Sequence, residues 1–198
     1  YPLDNPVDYE PDISECLGAK AATVGVDPID YLYDFLLEDG GTRFASLSAV
    51  DLPARMGVLQ EMLLHPDTVT GLSDAGAHVT LICDGSMPTT QLAYWTRDRE
   101  KGEKIPIEFI VRKQTALNAQ LYGFDDRGSL EQGKKADINV IDMDNLRVSP
   151  PVPHHDLPTG GTRLMQPVSG YVNTLCNGIS VREFDQDTGD RPGRLVRS

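Results

Sequence analysis

Metal-binding spacing is what this chain most lacks. Its 198 residues include four histidines and three cysteines. Cys16, Cys83 and Cys176 stand far apart, and they form neither a Cys-x-x-Cys site nor an even-numbered disulfide framework. That usage fits a reducing compartment, so a cytoplasmic protein is expected. No apolar run approaches the roughly 20 residues of a membrane-spanning helix, and no basic-then-apolar leader opens the sequence. Positive charge is scarce too: 18 Lys and Arg face 30 Asp and Glu, for a net charge of -12. The balance disfavours nucleic acid and anionic membranes as partners, because phosphate contacts need a positive face. Glycine loops that cradle phosphate and interleaved basic and aromatic residues are missing as well.

What is present suits a soluble globular protein, with 39% hydrophobic and 24% charged residues. The opening Tyr1-Pro-Leu-Asp-Asn-Pro6 lacks a methionine and reads as proline-marked coil, as though further sequence precedes it. A helix is expected from Ser14 to about Val24, with Ser14 as its cap. Asp27-Pro28 starts a second helix, which Glu38-Asp-Gly-Gly41 ends. Arg43–Val50 reads as a strand. Asp51-Leu-Pro53 opens a helix to Leu64 with an apolar stripe at Met56, Leu59 and Leu63. Val69–Leu72 is a second strand, and the strand-helix-strand spacing is that of a parallel sheet with outer helices. A short helix near Leu92 fades into the charged run Arg97–Lys104, which reads as a solvated face. One further helix covers 107–121, with Phe109, Ile110, Leu117 and Leu121 turned inward.

From about residue 125 the character is β. Residues 150–167 form a proline-rich loop with His154-His155-Asp156, and Asn177-Gly178 marks a hairpin by its fit to a type I′ turn. Division near residue 124 gives a helical and strand-bearing part, 1–124, and a β part, 125–198. These β segments are few and would need partner strands.

Chemistry concentrates in Thr68-Val-Thr-Gly-Leu-Ser-Asp-Ala-Gly-Ala-His78. An aspartate where an apolar strand opens into a loop occupies a site-forming position in α/β architectures. There Asp74 could ligate a metal or move a proton, or simply cap the turn that follows. Ser73, Gly76 and His78 share its loop. Asp-x-x-x-His fits an outer hydrogen bond better than direct ligation. Ser73 and Ser86 lack the Gly-x-Ser-x-Gly elbow. His154 and His155 are adjacent and so point to opposite sides of extended chain, where a surface or lid role suits them. His65, before Pro66 at a helix end, reads as structural. Cys83 has no neighbouring base and reads as a small interior residue.

Taken together, these pieces resemble a known family. His65-Pro66, Gly71-Leu-Ser-Asp-Ala-Gly-Ala-His78, Arg112 with Thr115 and Ala119, and Leu121-Tyr-Gly-Phe-Asp-Asp-Arg-Gly128 come in order. Leu130, Gly133-Lys-Lys-Ala-Asp137, Asn139-Val-Ile-Asp142, Val172-Asn173, Asn177-Gly178 and Gly189-Asp-Arg-Pro-Gly-Arg194 follow. The chain resembles the C-terminal part of a metal-dependent amidohydrolase of the N-acyl-D-amino-acid deacylase (D-aminoacylase) type.

That resemblance implies an α/β fold: the C-terminal portion of a distorted (β/α)8 TIM barrel plus part of a small β-sandwich. Arg43–Val50 and Val69–Leu72 would be barrel strands seven and eight. Asp74 would be the general base and acid for zinc-activated water, and a possible zinc ligand. Ser73, Gly76 and His78 would shape the substrate loop. The family's remaining zinc ligands match nothing from Tyr1 onward, so this chain alone is expected to bind no zinc and to be inactive. Its partners would be a small N-acyl amino acid substrate, and an N-terminal portion, a partner chain or a second copy that completes it. Two alternatives stay open: a different amide or cyclic-amide substrate on the same scaffold, and a non-catalytic assembly module.

Overall fold

Helices fill the chain as far as residue 121, and strands fill it from residue 138 onward. The computed structural model describes residues 1–3, 5–46, 52–71 and 73–197, with the side chains of 52–55 excepted. Helix α1 spans Leu17–Val24, behind a short 3-10 turn at Ile13–Glu15, so its cap is Cys16 rather than Ser14. Helix α2, Pro28–Gly41, begins as the sequence dictates. Proline sits in the first turn, where a missing N–H costs nothing, and the Asp27 carboxylate accepts from the Ile29 and Asp30 amides. Glu38, Asp39 and Gly40 leave helical geometry and end it.

Helix α3 is Leu52–Leu64 and α4 is Met87–Ala93, which runs into a π-helical turn at Tyr94–Asp98. The single helix expected over 107–121 is two. Helix α5, Ile107–Gln114, and α6, Ala116–Leu121, meet at Thr115 (φ -120°, ψ -83°). The break turns Leu121 outward, against expectation, while Ile110 is wholly buried.

All strand pairing among the described residues is antiparallel. Strands β1 (Ile138–Ile141), β6 (Tyr171–Cys176), β7 (Ile179–Glu183) and β8 (Gln186–Asp187) form one sheet in that order. Strand β2 (Arg147–Val148) pairs with β5 (Val168–Ser169), and β3 (Val152–His154) with β4 (Arg163–Met165). The 150–167 segment is therefore a hairpin arm rather than a structureless loop. Pro153 lies within β3, a strand of a two-stranded pair with one edge free, where strands tolerate proline, and the arm's other prolines lie outside its strands. Gly170 (φ 105°) takes a left-handed turn before β6, and a Cβ there would lie 2.6 Å from the Leu146 Cα.

The expected barrel strands take a different form. Of 43–50, residues 47–50 lie outside the described residues. Ala45 makes an isolated antiparallel bridge to Pro2, flanked by Leu3 N–H to Phe44 O at 2.9 Å and Ser46 N–H to Tyr1 O at 2.8 Å. Val69–Gly71 run as unpaired chain, and Leu72 lies outside the described residues. A parallel strand exists only through neighbours on its edges, and no described strand stands beside this one. The fold is thus α/β with helices and antiparallel sheets.

The core draws on both halves of the sequence. Met56, Leu92, Ala93, Tyr94, Trp95, Ile105 and Ile110 pack with Leu146, and Ile141, Met143 and Tyr171 lean on the same cluster. Most of the charged run 97–104 is exposed, as a solvated face requires, but Arg99 turns into this interior. Arg99 is buried over the Trp95 ring, 4.7 Å from its centroid, and its Nε donates to Glu10 at 3.1 Å. The Tyr94 hydroxyl donates to the same carboxylate, and Arg99 also donates to Gln60 at 2.5 Å. A guanidinium can enter an apolar core because its planar face stacks while its edges are paired.

Candidate active site

The approach to Asp74 is built from α3 and α5. His65 follows the last turn of α3, its amide donating to Glu61 O at 3.0 Å, and its ring Nδ1 accepts from the Asp67 amide at 3.2 Å. The imidazole therefore caps the turn beyond the helix rather than facing the helix carbonyls. Thr68 closes the turn, its Oγ1 donating to Met62 O at 2.6 Å. From there Val69–Gly71 lead toward the loop.

Lys113, which sequence reasoning passed over, holds that run. It is 1% exposed, and its Nζ donates to His65 O at 3.1 Å, Thr68 O at 2.6 Å and Thr68 Oγ1 at 2.7 Å. Burial pushes its ammonium below the ordinary lysine value of 10.5. Thr70 Oγ1 donates to Lys113 O at 3.3 Å and accepts from Asn118 Nδ2 at 3.3 Å. The signal was available: Lys113 lies three residues after Ile110 and four before Leu117, on the inward face of its helix.

Asp74 itself is exposed, with left-handed backbone (φ 46°) and no hydrogen bond or ion pair among the described residues. Gly76 (φ 97°) and His78 (φ 46°) repeat that handedness, so the loop coils tightly through residues 74–78. Aspartate and histidine tolerate this region better than most residues, and clustered unfavourable backbone accompanies functional loops. Ser73 is half-buried and makes no hydrogen bond among the described residues, while the His78 carbonyl accepts from the Leu81 and Ile82 amides at 2.8 and 2.9 Å. Asp74, Ser73, Gly76 and His78 thus share one short, solvent-facing loop.

The β3–β4 arm reaches the far side of this loop. The Leu164 amide donates to Val79 O at 2.7 Å, and the buried Ser86 hydroxyl donates to the Gln166 side chain. His154 pairs in register with Arg163, and His155 Nδ1 meets Thr162 Oγ1 at 2.8 Å. Arg163 grips Asp156 through two bonds at 2.8 and 2.7 Å, which holds the turn between the strands. Cys83 is half-buried. Burial, with Asp84 beside it, pushes its thiol up, away from the thiolate a metal needs. Among the described residues no three His, Cys, Asp or Glu side chains gather as a metal site.

The amidohydrolase family model matches residues 18–182. An uncharacterized protein of Mycobacterium tuberculosis is 30% identical over 136 residues, covering 68% of this chain and 22% of its own length. The N-acyl-D-glutamate deacylase of Alcaligenes xylosoxydans xylosoxydans is 35% identical over 100 residues, covering 49% of this chain and 18% of its own. The S-triazine hydrolase of Gordonia rubripertincta is 34% identical over 133 residues, covering 66% and 27%. The chain therefore spans about a fifth to a quarter of these relatives' length. No solved structure matches it.

Proposed function

The chain belongs to the amidohydrolase family, and on that premise we propose that it is the part of a zinc-dependent hydrolase of N-acyl-D-amino acids, or related linear amides, that carries the proton-handling aspartate. One observation supports this most: Asp74 presents to solvent, from a loop with left-handed backbone at residues 74, 76 and 78, a carboxylate that is unpaired among the described residues. A carboxylate spent on capping would be bonded to backbone amides, as Asp27 and Asp185 are. Asp74 is not so spent.

The described residues do not compose a zinc centre by themselves, since Asp74 has no neighbouring ligand set. In this reading the zinc ligands belong to the remainder of a protein of the relatives' size, and the chain alone does not turn over substrate. What this chain supplies is proton transfer. Asp74 takes a proton from the water that attacks the amide carbon and returns it to the departing amine nitrogen, so the C–N bond breaks to a neutral amine. Ser73, Gly76 and His78 shape the loop around the reacting carbonyl.

The test is Asp74→Asn in the intact enzyme, assayed by release of free amine from a panel of N-acyl-D-amino acids. General acid–base groups contribute about 10²–10⁴-fold, so kcat should fall by about that factor with the circular dichroism spectrum unchanged. Turnover near the original rate would remove Asp74 from the mechanism. A second reading has its own support, because the S-triazine hydrolase is as similar in sequence as the deacylase. Cyclic and heteroaromatic C–N substrates therefore belong in the same panel.

A further inference from the structure

Lys113 poses a problem that its own helix does not solve. An ammonium taken out of water costs several kcal/mol unless its charge and all its donors are met. No carboxylate among the described residues pairs with it; three oxygen atoms of one short segment do, two of them backbone carbonyls. An ammonium has three donors, and all three are spent on residues 65 and 68. A methionine of the same length would fill the space at less cost, yet would leave those oxygens without a donor. What the lysine adds is a fixed path for the segment. Thr70, tied to the Lys113 carbonyl and to Asn118, prolongs the grip. Past Gly71 the same chain becomes Ser73 and Asp74.

We propose that Lys113 is a positioning residue for Asp74: by holding His65 and Thr68 from within α5, it sets where the loop leaves the body of the protein and so where the carboxylate points. The inference rests on Asp74 being the proton-handling group. A misplacement of about 1 Å at a reacting group can cost about 10²-fold in rate, so a remote tether can govern turnover without touching substrate.

A double-mutant cycle in the intact enzyme tests it, with Lys113→Met, Asp74→Asn and the pair together. Lys113→Met should lower kcat by about tenfold or more with KM changed by less than about twofold. Added to Asp74→Asn it should lower the rate no further, because there is nothing left to position. Amide hydrogen exchange should quicken across residues 68–74 and stay unchanged across the β6–β7 hairpin. Unchanged kcat, unchanged exchange in 68–74, or losses that multiply in the double variant each overturn the proposal. If Lys113→Met does not fold, Thr70→Val removes the second tie alone and should move the same two readouts in the same direction; no movement overturns the proposal equally. The failure of the Asp74 reading looks different: Asp74→Asn then keeps its rate, while the exchange measurement still reports on the tether.

Discussion

Glu10 and Arg99 show how far a residue's role can depart from its neighbourhood in sequence. Arg99 stands in a run of charges, yet both partners are more than nine-tenths buried. Burial raises the Glu10 carboxyl, but hydrogen bonds from Arg99 and Tyr94 outweigh it and leave it below the ordinary value of 4.5. A depressed carboxylate stabilises the fold above its unfolded pKa and ceases to do so as the pH falls through its folded one. Stability should therefore drop below about pH 4.5, and a Glu10→Gln variant should show a shallower drop in urea midpoint over that window. Glu10→Ala at neutral pH should cost roughly 3–5 kcal/mol, since it strands a buried guanidinium; a loss under about 1 kcal/mol would mean water reaches Arg99. None of this was legible locally. Glu10 and Arg99 are brought together by tertiary folding alone, whereas the Asp74 loop announced itself through its glycines and its aspartate.

Elements with a local cause were the ones the sequence described well. Asp27-Pro28 starts α2 because the carboxylate and the ring each solve a helix-end problem within a few residues. Asp27→Ala should accordingly cost about 1 kcal/mol, measured as a lower unfolding midpoint, and Asp27→Asn much less; equal losses would show that the cap is not the cause. Asn177 and Gly178 turn β6 into β7 with left-handed backbone at both positions (φ 51° and 79°), as the hairpin reading required. Elements whose existence depends on neighbours were misjudged. Val69–Gly71 has strand-forming residues but no described strand to pair with. The proline-rich arm looked structureless because two-residue and three-residue pairings leave almost no periodicity to read. Thr115 breaks the 107–121 helix with no proline or glycine to mark it.

At the scale of the whole molecule, many large apolar side chains are exposed. The accessible area is 13224 Å², against roughly 9200 Å² for a compact monomer of 21.7 kDa. Helix α2 alone leaves Ile29 (70%), Tyr33 (64%) and Leu37 (55%) exposed at helical spacing on one side. A stripe of that kind is a place where a second copy could dock, and standard protein interfaces bury about 1,600 Å². The net charge of -12 opposes self-contact. Association of the chain with itself should thus strengthen as salt rises from about 0.05 to about 0.5 M, where screening shortens to a few ångströms. Sedimentation velocity measures this; a monomer at both salts would show that the stripe does not suffice to join copies. Charge was legible from composition and the α/β class from element order and family resemblance, while the size of the uncovered surface was not, because it depends on what packs against what.

The stretch from His65 to Val79 is held on both flanks, by Lys113 and Asn118 before the loop and by the Leu81, Ile82 and Leu164 amides after it. Between these ties, Ser73, Asp74, Ala75 and Ala77 make no hydrogen bond among the described residues. Substitutions at Ser73, Ala75 and Ala77 should therefore cost little stability, so the surroundings of Asp74 can change one residue at a time while the scaffold stays put. A loop tied on both flanks lets the neighbours of one carboxylate vary while the carboxylate keeps its place.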